Sequence, residues 1–253
     1  FSKLFFIFEI VIFKMQSKIV VILFVFFVAI TISFHPSAAS AKIFSPQSKI
    51  PTYIEQKIFK SNTVIIYPIF TQAAYGKGGF YDYYRKQCDT SCLTVPIPLK
   101  IFLSYVASGQ GYLLLSSLGF DSITDVDVDK NPSILKEYKN IIVLHNEYVT
   151  KKEFNAIVHC PNVIYMYPNA LYAEVRTNYD NNTISLLNGH GYPLPSISNG
   201  FDWKFDNSRY EYNTACSGWN FYRTANGWML NCYPELVASS DKTLQSSLIE
   251  RIQ

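Results

Sequence analysis

The sequence predicts an α/β protein: a doubly wound, mainly parallel sheet of five strands over residues 62–170, followed by a β-rich C-terminal extension over residues 171–253. Three observations carry this expectation. Apolar runs of strand length recur at residues 63–69, 93–97, 122–128, 140–144 and 162–167, and strands apolar on both faces belong in a sheet covered on both sides. Helix signals fall between several of them, the alternation that right-handed crossovers produce. After Asn169 the pattern changes to paired short runs around turn residues, the signature of antiparallel hairpins.

Taken in order, the run 63–69 opens the sheet, and Gly76, Gly78 and Gly79 follow in a loop where backbone amides can approach a ligand. Asn131-Pro132 puts a cap residue before a proline at the first helical position, opening a helix over 133–138. Thr150 and Glu153 have capping-box spacing, and Phe154, Ile157 and Val158 then share one face until Pro161 stops the helix. In the extension, runs 172–175 and 183–187 flank Asp180-Asn181-Asn182, and runs 219–223 and 228–232 flank Asn226-Gly227. The last segment, 241–253, places Leu244, Leu248, Ile249 and Ile252 on one helical stripe that should dock on the body.

The N-terminus reads as a leader over 1–41. From Met15 a polar start with Lys18 leads into an apolar run of 16 residues, Ile19 to Phe34, and then Ala39-Ser40-Ala41, the order of an export signal with its cleavage site. An uncleaved membrane anchor is the alternative, but the run falls short of the roughly 20 residues that span a bilayer. Residues 1–14 precede the first Met and are expected to be upstream reading frame or a fragment of something longer; residues 42–61 read as a linker. The formal charge is +3, and most of it sits in the leader, as Lys3, Lys14 and Lys18 against Glu9. The remainder carries no electrostatic footprint for nucleic acid or an anionic membrane.

Cysteine usage agrees with export to an oxidising compartment. Cys88 and Cys92, and Cys216 and Cys232, lie in turn-rich sequence where bridges can form, leaving Cys160 over. Zinc at Cys88 and Cys92 would need a second Cys or His pair. Asn181-Asn182-Thr183 is a glycosylation sequon in a turn.

Ligands of an open parallel sheet bind beyond the carboxyl ends of its strands. That edge selects Thr71 to Tyr75 with Gly78 and Gly79, then Asp125, Asp127 and Asp129, then His145 and Glu147, and Asn169. It places Cys88, Cys92 and Cys160 at the opposite edge. His145 and Glu147 are two residues apart before the capped helix, a spacing that can present both to one metal, water or substrate carbonyl; the alternative is a loop His and a Glu held by the helix N-terminus. Asp125, Asp127 and Asp129 are expected on one strand face, where they would repel without a cation, and Lys130 and Lys136 exclude an EF-hand. The glycine loop is neither a Walker loop nor a dinucleotide fingerprint, and a Gly-x-Ser/Cys-x-Gly elbow is missing.

In order, Thr71-x-x-Ala74-Tyr75 with Gly78-Gly79 and Tyr84, Thr124-Asp125-Val126-Asp127, Leu135, His145-x-Glu147-Tyr148 and Asn169-x-x-Tyr172 resemble the glutamine-amidotransferase-like domain of the N,N-dimethylformamidase large (β) subunit family. The resemblance spans Val64 to Val175. It implies a flavodoxin-like, class I glutamine amidotransferase-like fold without a cysteine nucleophile. It also implies hydrolysis of the C–N bond of a small amide at a mononuclear iron, with Glu147 and Tyr75 as metal ligands and His145 as acid or base. Val149 stands where an aromatic usually follows, the glycine loop is shorter, and no second tyrosine ligand is evident. The competing expectation is a non-catalytic extracytoplasmic binding module using the same crevice together with Trp203, Trp219 and Trp228. Both expectations take a small molecule as partner, no nucleic acid, and a membrane only if the leader is uncleaved.

Overall fold

The computed structural model describes residues 62–216 and 219–252; the leader and linker expectations lie outside them. The strands are β1 Thr63–Tyr67, β2 Thr94–Pro96, β3 Asp121–Thr124, β4 Asn140–Val143, β5 Tyr148–Thr150, β6 Val163–Tyr165, β7 Ala173–Asn178, β8 Thr183–Asn188, β9 Phe221–Arg223 and β10 Gly227–Leu230. The α-helices are α1 Ile69–Ala74, α2 Phe80–Tyr84, α3 Gly109–Ser117, α4 Asp125–Lys130, α5 Lys151–His159 and α6 Lys242–Ile252. The structure is mixed α/β, with a mostly parallel sheet of six strands, in the order β3-β1-β4-β6-β10-β9, and a second sheet, β2-β8-β7-β5.

In the main sheet every pairing is parallel except β9 with β10. Period-2 alternation divides its apolar side chains between two cores. Ile65, Tyr67, Ile142 and Ile164 face one, Val64, Ile66, Ile141 and Val163 the other. All are buried, and each stabilises by about 1.5–3 kcal/mol relative to exposure for Val or Ile. β1 sits between β3 and β4, so successive crossovers leave it in opposite directions and open a crevice at its carboxyl end.

Three expected strands change character. The run 63–69 ends at Tyr67, because Pro68 turns the chain and α1 begins at Ile69. The run 93–97 is not a parallel strand: β2 pairs antiparallel with β8 in the second sheet. The run 122–128 stops at Thr124, whose hydroxyl accepts from the Asp127 amide while the Asp127 carboxylate accepts from the Thr124 amide, a capping box that starts α4. Asp125, Asp127 and Asp129 are therefore helical and share no strand face. The helix signal after Asn131-Pro132 yields a 3-10 turn, Pro132–Glu137. Thr150 caps α5 through the Glu153 amide, but the Glu153 carboxyl does not reciprocate; it is fully buried with both oxygens unpartnered.

Both expected hairpins form, and each completes a sheet. β7 and β8 pair antiparallel, and β5 joins β7 in parallel. β10 lies parallel to β6. A side chain at Gly227 would place Cβ 1.8 Å from the Val163 carbonyl oxygen, so glycine there serves strand contact as well as the turn. α6 buries Leu244, Leu248 and Ile252, with Ile249 half-buried beside them. Disulfides join Cys88 to Cys92 and Cys216 to Cys232, and Cys160 is free. Among the described residues no helix is long and apolar enough to cross a membrane.

Candidate functional site

Glu147 lies at the centre of the crevice, in the loop between β4 and β5, and is completely buried. Its amide donates to Thr71 Oγ1 at 3.0 Å and to the His145 carbonyl at 2.9 Å, while its own carbonyl accepts from the amides of Tyr172 and Ala173. Thr71, expected to face the crevice, is instead a buried residue of α1 whose hydroxyl also accepts from Tyr148 N at 3.3 Å. It fixes the loop that carries the carboxylate.

Glu147 Oε1 accepts from His190 Nε2 at 2.6 Å and from the Tyr81 hydroxyl at 3.1 Å. The hydroxyls of Tyr75 and Tyr81 are 2.5 Å apart, and their rings stack at 3.8 Å. Burial acts to raise the Glu147 pKa, but the hydrogen bond and charge of His190, the charge of His145 and a hydrogen bond from Tyr75 outweigh it, and the net shift is downward. Burial, and then the charge of Glu147, push the hydroxyls of Tyr75 and Tyr81 far upward. Tyr148 beside them is shifted the same way for the same reasons.

His145 follows β4 and is also buried. Its amide donates to Ser108 Oγ at 2.8 Å, and its Nδ1 lies 2.7 Å from the Val106 carbonyl. A carbonyl can only accept, so Nδ1 carries a proton; whenever the ring is neutral, Nε2 is its acceptor. Nε2 lies 3.6 Å from Glu147 Oε2, and neither atom has a hydrogen-bond partner. Two buried polar atoms facing each other unpartnered mark a place where something else belongs.

The glycines place the tyrosines. Gly78 has φ +75°, and its amide donates to Asp82 Oδ2; a Cβ on Gly79 would meet the Ala74 and Gly76 carbonyl oxygens at 2.4 and 2.7 Å. This close turn allows α2 to project Tyr81 back onto Glu147. Asn169, after β6, is buried with φ +58°, and its Oδ1 has no hydrogen-bond partner; burial and then the charge of Glu147 push the Glu211 carboxyl up. Asp125 is near but separate: Oδ2 accepts from Phe70 N at 2.8 Å. Asp127 is an exposed cap.

His190 and Tyr81 were not legible as site residues. His190 sits between Gly189 and Gly191 with φ +52°, and the Gly-His-Gly sequence after β8 is the one signal that could have marked it. Its ring packs among those of Tyr84, Tyr148 and Tyr172. Above it opens a cavity of about 920 Å³, walled by Tyr81, Tyr83, Tyr84, His190 and Tyr212. Cys88 also lines it, contrary to the expectation that it lies at the opposite edge, because β2 belongs to the second sheet. The three tryptophans serve elsewhere. Trp203 packs on Phe154 and Tyr165, Trp219 donates to Asp241 and Thr243 beside α6, and Trp228 lies under Arg223 and Arg251.

Fold and site thus define a mixed α/β protein with a buried Glu–His–Tyr cluster beneath an open cavity. No protein-family model matches the chain, and no curated protein matches it either.

Proposed function

We propose that the protein is an exported amide hydrolase of the N,N-dimethylformamidase-like kind, with a flavodoxin-like, doubly wound wrapping and its chemistry at Glu147. The observation that carries the reading is the convergence of Tyr75, Tyr81, His145 and Glu147 around two buried, unpartnered polar atoms, Glu147 Oε2 and His145 Nε2. Strand order β3-β1-β4-β6 with its crevice beside β1 supports the wrapping. Two disulfides support an oxidising compartment.

The residues fit the transition metal that the resemblance implies. Among the described residues no group of three His, Cys, Asp or Glu side chains could hold a metal ion, but tyrosine oxygens supply the missing donors. The oxygens of Tyr75, Tyr81 and Glu147 converge within hydrogen-bonding distance of one another, a cluster of oxygen donors that suits a cation. Glu147, Tyr75 and Tyr81 would hold the ion. A bound transition metal supplies a Lewis acid that polarises an amide carbonyl or acidifies a water.

The chain's own groups do the rest. His190 Nε2 donates to Oε1 and holds the Glu147 carboxylate in one orientation. His145, pinned by the Val106 carbonyl, presents Nε2 to take a proton from attacking water and return it to the departing nitrogen. The C–N bond breaks, a bond from the acyl carbon to the water oxygen forms, and the products are a carboxylic acid and an amine.

Metal analysis and visible absorption of purified protein test this. The expected result is about one transition-metal ion per chain, a tyrosinate-to-metal band if it is iron, and loss of both in Glu147→Gln with the fold intact by circular dichroism. Protein free of metal after exposure to ferrous, zinc and manganous ions, with no amine released from formamides or acetamides, would sink the enzyme reading and leave a binding module.

A further inference from the structure

We propose that the molecule recognised above Glu147 is a carbohydrate carrying an amide, an N-acylated amino sugar in a glycan; the proposal rests on the amide-hydrolase reading and names its substrate class. A cavity of about 920 Å³ lies at the upper end of the roughly 300–1,000 Å³ that enclose ligands of drug size, far more than a small formamide fills. Its walls narrow the chemistry.

Four tyrosines, Tyr81, Tyr83, Tyr84 and Tyr212, line it, and none of the side chains lining it is aliphatic. An acyl chain would find no matching surface. A sugar ring has apolar C–H faces that lie on aromatic rings and a hydroxyl edge that seeks hydrogen bonds. Lys86, Gln87, Asp89 and Glu211 supply donors and acceptors around the rings. Asp89 and Glu211 outnumber Lys86, and Glu147 lies just beneath, so the field disfavours phosphorylated or other anionic ligands. Tyr81, Tyr83 and Tyr84 meet edge to face, at 5.5 and 5.8 Å between centroids. They form a wall packed on itself, unlike the cage that closes around a quaternary ammonium.

Position completes the argument. Tyr81 and His190 belong both to the cavity wall and to the hydrogen-bonding shell of Glu147. Glu147 and His145 are themselves buried behind this wall, so a substituent of a ring resting on the tyrosines meets them only where Tyr81 and His190 give way. At the rim Tyr212 is 87% exposed, a large aromatic surface with no structural task, as suits a platform for a further sugar unit. Hydrolysis there would break the acyl C–N bond, place the water oxygen on the acyl carbon and leave a free amino sugar with its carboxylic acid.

The test is calorimetric titration of the N-acetylglucosamine tetramer into the metal-supplemented protein, with amine release followed in parallel and octanamide and tetramethylammonium as comparison ligands. Saturable binding of the tetramer with release of amine is expected, weakened about three- to tenfold in Tyr212→Ala and Tyr84→Ala by loss of a stacking surface. Tyr212 is so exposed that its replacement cannot unfold the chain, which keeps the result interpretable if Tyr84→Ala misfolds. No binding of the tetramer, binding untouched by Tyr212→Ala, or preference for octanamide or tetramethylammonium would overturn the proposal; hydrolysis of acetamide would then still uphold the amide-hydrolase reading. Tetramer binding without amine release from it or from any small amide would overturn both.

Discussion

Replacing Thr71 by Val removes the hydroxyl that holds the Glu147 loop while keeping the side chain's size. The residue is fully buried, and its Oγ1 accepts from Glu147 N at 3.0 Å and Tyr148 N at 3.3 Å. Glu147 N retains the His145 carbonyl, so the loss amounts to one buried donor, about 1–3 kcal/mol. Thr71→Ser keeps the acceptor and loses only a methyl, about 0.8 kcal/mol. For a domain of this size each kcal/mol moves Tm by about 2–4 °C, so Thr71→Val should melt about 2–12 °C below wild type and Thr71→Ser about 2–3 °C. Urea unfolding should give the same order. Metal content separates positioning from plain stability, because Thr71→Val should lower it at temperatures where the variant is folded, whereas Thr71→Ser should not. A Val variant as stable as the Ser variant and fully metal-loaded would refute the claim that this hydroxyl places the carboxylate.

Two further outcomes follow from the buried carboxyls and the cross-links. Burial first, then the charges of Asp125 and Asp129, raise the Glu153 pKa, with the Thr150 contact opposing; a raised carboxyl keeps its proton in the folded state, so stability is fullest below the ordinary carboxylate range and declines as pH rises above it towards the folded pKa. Glu153→Gln should therefore gain stability relative to wild type at pH 8 but not at pH 4 in thermal melts, and parallel pH curves for the two proteins would contradict the assignment. Cys216 and Cys232 are 16 residues apart, so the double Ser variant should lose about 3 kcal/mol in the chain-entropy model, measured by denaturant titration; a loss below about 1 kcal/mol would show the loop already ordered without its bridge.

Much of the crevice could be read locally. The apolar runs at 63–67, 140–143 and 163–165 are strands because they fill both cores, and their carboxyl ends carry Tyr75, His145, Glu147 and Asn169 towards one place. The segment 122–128 is ambiguous locally because Ile123, Val126 and Val128 suit a strand or a helix equally, and Thr124 with Asp127 decides for the helix by capping. Tyr81 and His190 stayed hidden for another reason. They reach Glu147 across 66 and 43 residues of sequence, and no local periodicity encodes a contact at that range.

The sequence by itself determined the elements governed by neighbours: the buried strands, the Thr150 cap, the two hairpins and the docking stripe of α6, since backbone propensity and side-chain alternation act over a few residues. Turn-rich sequence also marked the four cysteines that the structure bridges in two pairs. Only the tertiary structure decided that β2, β5, β7 and β8 make a second sheet, that β10 extends the parallel one, and that a second tyrosine and a second histidine reach the carboxylate. Those outcomes depend on which distant surfaces exclude water together, a property of the whole packed chain that no short window of residues contains.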